Sequence, residues 1–170
     1  MLYLDEKHNY FWDGKKLPSI TQIVCKNVLI KNTTALENGQ SKHSELELAA
    51  LGLFESEIFN IVKEKLKIKN IIGIELKITN GEVAGTIDLL CNNNKNEYVI
   101  IDWKTGKKYS WHKAQLGGYA YILEKELCSG LSVKECLLYD VYVDSVDIVK
   151  HHYYDALYKF REALKTFKEA

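Results

Sequence analysis

The sequence predicts a mixed α/β fold: a β-sheet with helices packed on it. Three observations carry the prediction. The hydrophobic period changes from helical to strand-like and back along the chain. Three β-rich runs, "IIGIELKIT", "EVAGTIDLL" and "EYVIIDWK", follow one another with only Asn-Gly and an Asn-rich knot between them. Amphipathic helical stretches stand on both sides of these runs. The 170 residues are predicted to form one domain, 1–170, long enough to bury a core without staples.

In chain order, residues 2–17 read as a hairpin turning at Asp13-Gly14. Ser19 and Gln22 then form a capping-box pattern that opens a helix through about Val28. A longer helix is predicted from about Thr33 to Leu53. Another runs from about Glu55 to Lys67, where Ile58, Ile61, Val62 and Leu66 recur at helical spacing. The three β-runs read as an antiparallel meander, with Asn80-Gly81 as a two-residue hairpin signal. A helix over about Ser110–Leu127 follows, then strands at "CLLYDVYV" and "DIVKHHY". A final amphipathic helix spans about Asp155–Lys168.

Composition is that of a soluble globular chain, with 46% hydrophobic and 27% charged residues. No apolar run reaches the ~20 residues that span a bilayer, and the N-terminus lacks a signal-peptide pattern. The expectation is a cytoplasmic protein with no membrane role. Cys25, Cys91, Cys128 and Cys136 are scattered without a C-x-x-C pair, so they are expected as reduced thiols and suggest no zinc ribbon or iron–sulfur cluster. Net charge is zero, yet residues 103–123 carry Lys104, Lys107, Lys108 and Lys113 with no Asp or Glu. Tyr109, Trp111 and His112 are interleaved with them. Lysines neutralise phosphates and aromatic rings stack on unpaired bases, so the segment is a candidate DNA-binding surface; a solvated helix face has the same pattern.

Two acids fall inside apolar strands: Asp88 in "GTIDLL" and Asp102 in "IIDWK". If those strands pair around the Asn-rich turn, both acids reach the same end of the sheet. Lys104, two residues after Asp102, points to the same face. Buried carboxylates repel and need partners, and a divalent cation satisfies both while leaving room for a phosphate.

These residues carry a resemblance. "GTIDLL…VIIDWKTGK" resembles the core of the PD-(D/E)XK nuclease superfamily, in particular its RecB-like exonuclease branch of phage and mitochondrial genome maintenance exonucleases. "GQSKH" is similar to the branch's G-x-x-x-H motif, "QLGGYAY" to its Q-x-x-x-Y motif, and "PSITQIV" to an N-terminal P-S-V-T-x-I-L segment. The resemblance implies a restriction-endonuclease-like core and a Mg²⁺- or Mn²⁺-dependent deoxyribonuclease. It implies Asp88 and Asp102 as metal-binding acids, the Trp103 carbonyl as a further ligand and Lys104 as the catalytic lysine. His43 would be an added metal ligand or a phosphate-proximal group, Gln115 and Tyr119 would support the site or touch DNA, and Glu75 would stand in place of an additional acid. Ser19 and Thr21 are helix-entry residues that also suit phosphate contact. The four cysteines depart from the pattern of cluster-bearing relatives, so no iron–sulfur cluster is expected.

The expected function is an exonuclease with little sequence specificity that favours single-stranded or free-ended DNA, in recombination, repair or phage DNA processing. Arginine is the residue suited to gripping guanine, and the chain has only Arg161. A structure-specific or restriction-type endonuclease, and a non-catalytic DNA-binding or accessory subunit, stand as alternatives. A homo-oligomer or a helicase or recombination partner is compatible with each.

Overall fold

A computed structural model describes residues 1–25, 33–127, 130–131 and 133–170, residues 33–39 by their backbone alone. The N-terminal segment forms three short antiparallel strands, β1 (Leu2–Leu4), β2 (Tyr10–Trp12) and β3 (Lys15–Leu17), in the order β1-β2-β3. The sequence suggested a single hairpin. The Asp13-Gly14 turn is where it was expected, between β2 and β3, and a second turn at 5–9 adds β1.

Helix α1 (Ile20–Val24) opens on the expected capping box: Gln22 N donates to Ser19 Oγ at 3.1 Å, and Ser19 N to Gln22 Oε1 at 2.9 Å. It closes at Cys25, short of the expected Val28; residues 26–28 lie outside the described residues. Helix α2 (Thr33–Ala50) and helix α3 (Glu57–Lys65) follow. Helix α3 starts two residues later than the apolar spacing suggested, because Ser56 caps it by accepting from Phe59 N. Glu57 in its first turn and Lys63 and Lys65 in its last complement the helix dipole.

The meander is as expected: β4 (Ile68–Thr79), β5 (Ala84–Asn93) and β6 (Tyr98–Lys104) pair antiparallel in sequence. The β4–β5 connection is four residues, not the two-residue turn suggested by Asn80-Gly81. Asn80 Oδ1 accepts from both Glu82 N and Val83 N, which closes a wider loop. Helix α4 (Trp111–Leu123) then crosses over, so that β7 (Leu137–Tyr142) pairs parallel to β6, and β8 (Asp147–His151) closes the sheet antiparallel. The five-stranded order is β4-β5-β6-β7-β8, with β6 in the middle. Helix α5 (Tyr153–Lys168) ends the chain.

The parity of β6 divides the core. Val99, Ile101 and Trp103 pack with Leu46 of α2 and with Phe59 and Val62 of α3. Ile100 faces the other layer, with Leu116 and Ile122 of α4 and Leu157 and Phe160 of α5. Helix α4 is buried on nearly every side, consistent with its place between the sheet and α5. Gly117 makes that possible: a Cβ there would lie 1.9 Å from the Ala156 carbonyl oxygen, so the α4 and α5 backbones touch. On β5, a Cβ on Gly85 would lie 2.7 Å from Ile20 Cδ1 and 3.2 Å from Tyr119, which keeps α1 and α4 close to the strand. Among the described residues, no helix is long and apolar enough to cross a membrane. Cys25, Cys91 and Cys136 are free thiols; Cys128 lies outside the described residues.

Candidate active site

Strands β5 and β6 pair as far as Leu89↔Ile101, and the next residues outward are Asp88 and Asp102. There the strands part, and the Asp88 side chain takes over from the ladder: its Oδ2 accepts the Trp103 N–H at 2.8 Å. Alternation puts Asp102 and Lys104 on the α4 side of β6, as their spacing required. Lys104 Nζ is ion-paired with Asp102 Oδ2 and donates to Gln115 Oε1 at 2.6 Å. Gln115 Nε2 donates to the Tyr119 hydroxyl at 3.1 Å, and that hydroxyl donates to Asp102 Oδ1 at 3.2 Å. Gln115 and Tyr119 are four apart and share one face of α4. The four side chains form a closed ring in which Asp102 is 2% and Lys104 8% exposed.

Beside the ring stands a second group. His43 of α2, Glu75 of β4 and Asp88 each offer a ligand atom, and these atoms lie within 4.8 Å of one another. His43 Nδ1 is 3.8 Å from Asp88 Oδ2. Glu75 sits between the Ile74↔Leu89 and Leu76↔Ile87 pairs, and its backbone is left-handed at φ +46°. A non-glycine residue held there inside a strand stores strain of order ~1–2 kcal/mol, a cost usually met at working sites.

The electrostatics are those of acids in excess. Burial, and then the nearby Asp102 and Glu75 carboxylates, push the Asp88 carboxyl well above the usual range. Glu75 is raised by burial and by Glu47 and Asp102. Burial lowers the His43 imidazole, partly offset by the Asp102 charge and a hydrogen bond with the Trp103 backbone. Among the described residues, Lys104 is the lysine built into this group. Carboxylate and imidazole donors crowded in this way fit a hard divalent cation such as Mg²⁺ or Mn²⁺.

The structure thus brings together His43, Asp88, Asp102, Trp103, Lys104, Gln115 and Tyr119, and adds Glu75. Asp102 is ion-paired with Lys104 and accepts from Tyr119, and among the described residues His43, Glu75 and Asp88 bring their ligand atoms within 4.8 Å of one another. The sequence reading missed Glu47, one turn beyond His43 on α2; its i, i+4 spacing was the available signal. It also missed Asp140 of β7, which is in register with Asp102, fully buried and 2.7 Å from His151 Nε2. Only the parallel pairing brings Asp140 there, and no local pattern announces it.

The cationic segment is less cationic than its sequence. Lys108 pairs with Asp147 and stands 5.0 Å from the Tyr142 ring, and Lys113 is 2.6 Å from Asp155. The acids arrive from β8 and α5, which a window of contiguous sequence cannot see. Lys107 is exposed. Tyr109 and Trp111 stack on each other at 5.9 Å, and Lys104 Nζ lies 5.5 Å from the Trp111 ring. Ser19 and Thr21 line a cleft of about 470 Å³ that also reaches Asp88, Gln115 and Tyr119.

A family model for the PD-(D/E)XK nuclease superfamily matches residues 24–167. No curated protein matches the chain. Among solved structures, the chain is similar to that of SSO0001 at 14% identity, with a TM-score of 0.36 over 87% of this chain and 75% of that one.

Proposed function

Since the chain belongs to the PD-(D/E)XK nuclease superfamily, we propose that it is a divalent-metal-dependent DNA exonuclease of the RecB-like branch, cutting single-stranded or free-ended DNA with little sequence specificity in recombination, repair or phage DNA processing. The observation that carries the reading is the ring of Asp102, Lys104, Gln115 and Tyr119 set against the ligand cluster of His43, Glu75 and Asp88.

His43, Glu75 and Asp88, with Asp102 beside them, would hold Mg²⁺ or Mn²⁺, and such an ion supplies positive charge to the scissile phosphate and acidity to a nearby water. The chain's own residues do the rest. Asp102 and Gln115 fix Lys104 Nζ at the mouth of the parted strands, where it stabilises charge on the phosphoryl oxygens or exchanges a proton with the attacking water. Tyr119 holds Asp102 in place by its hydroxyl, and Gln115 orients both. Burial of the ring excludes competing water and strengthens these interactions. The lean toward low specificity rests on lysine as the dominant cation; the single arginine, Arg161, pairs with Glu124 on the far side of α4.

The test is a time course on linear single-stranded, linear duplex and closed circular DNA, each end labelled separately, in Mg²⁺, Mn²⁺ or EDTA. Asp102→Ala and Lys104→Ala serve as controls. Metal-dependent release of short products from one end, with circles spared and both variants inactive, is the expected result. Opening of closed circles would make it an endonuclease. Salt-dependent binding without cleavage in any metal would make it a DNA-binding or accessory subunit. A Lys104→Ala protein that cuts like wild type would remove the assigned role of the lysine.

A further inference from the structure

Tyr10 carries a hydroxyl from the small sheet to the candidate site. On β2 its side chain shares the inward row with Leu4 and Leu17, its partners in register, while Tyr3 and Phe11 stack on the outer face. Tyr10 Oη stands 2.7 Å from Thr86 Oγ1 on β5, two residues before Asp88. The two sheets are fastened around this contact: Ala84 N donates to Pro18 O at 3.0 Å, and Tyr10, Leu17 and Ala84 share a small core. Tyr10 and Thr86 thus form a wall of the cleft of about 470 Å³ that also reaches Asp88, Gln115 and Tyr119.

Two hydroxyls carry two hydrogens, and the bond between them uses one. Among the described residues, neither hydroxyl has a further hydrogen-bond partner. Whichever of the two donates, one donor is left over, in a cleft that leads to carboxylates. Burial raises the Tyr10 phenol, the Thr86 hydrogen bond opposes this, and the Glu75 and Asp88 charges add to it. The phenol therefore keeps its proton through the neutral range.

A neutral donor is what this wall offers a phosphate. Lys7 shares its turn with the ionised Asp5 and with Glu6, and Lys77, in register with Thr86, is set against Glu75. The acids Glu75, Asp88 and Asp102 repel a phosphate until an ion neutralises them, so hydrogen bonds have to seat the strand beside that ion. A phosphodiester oxygen suits the spare hydroxyl, because a hydrogen bond to a charged acceptor is about twice as strong as one between neutral groups.

We infer that Tyr10 and Thr86 together supply a hydroxyl donor to a phosphate oxygen of the DNA strand next to Asp88, which makes the small N-terminal sheet part of the substrate site. The inference rests on the nuclease reading for its ligand and extends it by assigning a strand-positioning pair.

The test is a double-mutant cycle of Tyr10→Phe and Thr86→Val, with Thr86→Ser as the conservative variant. Affinity for a fluorescent single-stranded oligothymidylate is measured in Ca²⁺ over a range of salt, and urea midpoints are taken in the same buffer. Each single variant keeps one hydroxyl and should bind within about fivefold of wild type. The double variant keeps none and should bind roughly 10–100-fold more weakly, the worth of a hydrogen bond to a charged group. The slope of log affinity against log salt should not change, because a neutral donor displaces no counterion. Stability should run the other way. Either single change leaves a polar atom without its partner, whereas the double removes both, so its urea midpoint should be no lower than those of the single variants. Thr86→Ser should match wild type in both measurements. In Mn²⁺, kcat/KM for the oligonucleotide should follow the affinities. A double variant that binds like wild type, or binding losses that track the urea midpoints, overturns the inference. If wild type binds the strand in Ca²⁺ but cuts nothing in Mg²⁺ or Mn²⁺, the nuclease reading falls alone, because the affinities still decide whether the pair meets the strand.

Discussion

Replacing Asp88 with Asn should make the metal-free protein more stable while removing its response to divalent ions. The ligand atoms of Asp88 and Glu75 lie within 4.8 Å of each other. At an effective dielectric of ~20, two unit charges at that separation repel by about 3.5 kcal/mol. Asparagine removes this repulsion and keeps an oxygen for the Trp103 N–H. It gives up the attraction of Lys104 and the charge assistance of that hydrogen bond, together roughly 1–2 kcal/mol. The net gain is about 2 kcal/mol. Its pH dependence has a definite sign. The Asp88 carboxyl is raised by burial and by Asp102 and Glu75, so the native chain holds a proton that the unfolded chain has already lost. Wild type therefore loses stability as pH climbs from the ordinary carboxylate range, ~4, toward the raised native value. The advantage of the variant is full above that window and disappears as pH falls back to ~4. Urea denaturation in EDTA at pH 8 and pH 4.5, repeated in Mg²⁺ or Mn²⁺, reads all of this. A variant less stable than wild type at pH 8 in EDTA, or one that metal stabilises as much as wild type, would refute the reasoning.

Glu75→Asn should relieve the left-handed strain and leave stability in EDTA equal or up to ~1 kcal/mol higher, while isothermal titration shows weaker Mn²⁺ binding. Gly117→Ala drives a methyl into the Ala156 carbonyl and should cost more than ~3 kcal/mol, seen as a large drop in the urea midpoint; a loss under 1 kcal/mol would show that α4 and α5 can separate. Burial, and next the charge of Lys104, push the buried His112 imidazole down to about 4. It is thus neutral in the fold, and its contribution is complete above ~6.5 and lost as pH falls toward 4, by about 3 kcal/mol. His112→Gln should flatten that part of the acid limb in a pH series of denaturation curves, and an unchanged limb would count against it.

The elements legible in the sequence are those whose information is local. The meander showed in three runs of β-branched and aliphatic residues, the capping box in Ser19 and Gln22, and the shared face of Asp102 and Lys104 in a spacing of two. What stayed hidden depends on chain reversal. Asp140 reaches Asp102 only because α4 carries β7 back alongside β6, and Lys108 and Lys113 lose their charge surplus to acids some forty residues further on. The distinct place of Glu75 was half visible, since its position in β4 could be read but its backbone conformation could not. Boundaries moved where a single cap decided them, as Ser56 did for α3.

Strand β6 assigns its residues by parity alone, and this restricts how the chain can change in length. Odd positions feed the layer of α2 and α3, and even positions the layer of α4. A one-residue insertion or deletion between Val99 and Asp102 would carry the acid and the lysine into the apolar layer beside Phe59 and turn Trp103 toward Tyr119. The sheet ladder would survive such a slip because both layers accept aliphatic residues; the chemistry would not. Variants of this chain can therefore gain or lose residues in the exposed turn at 94–97 or in the exposed loop at 106–110, but not within the seven residues of β6.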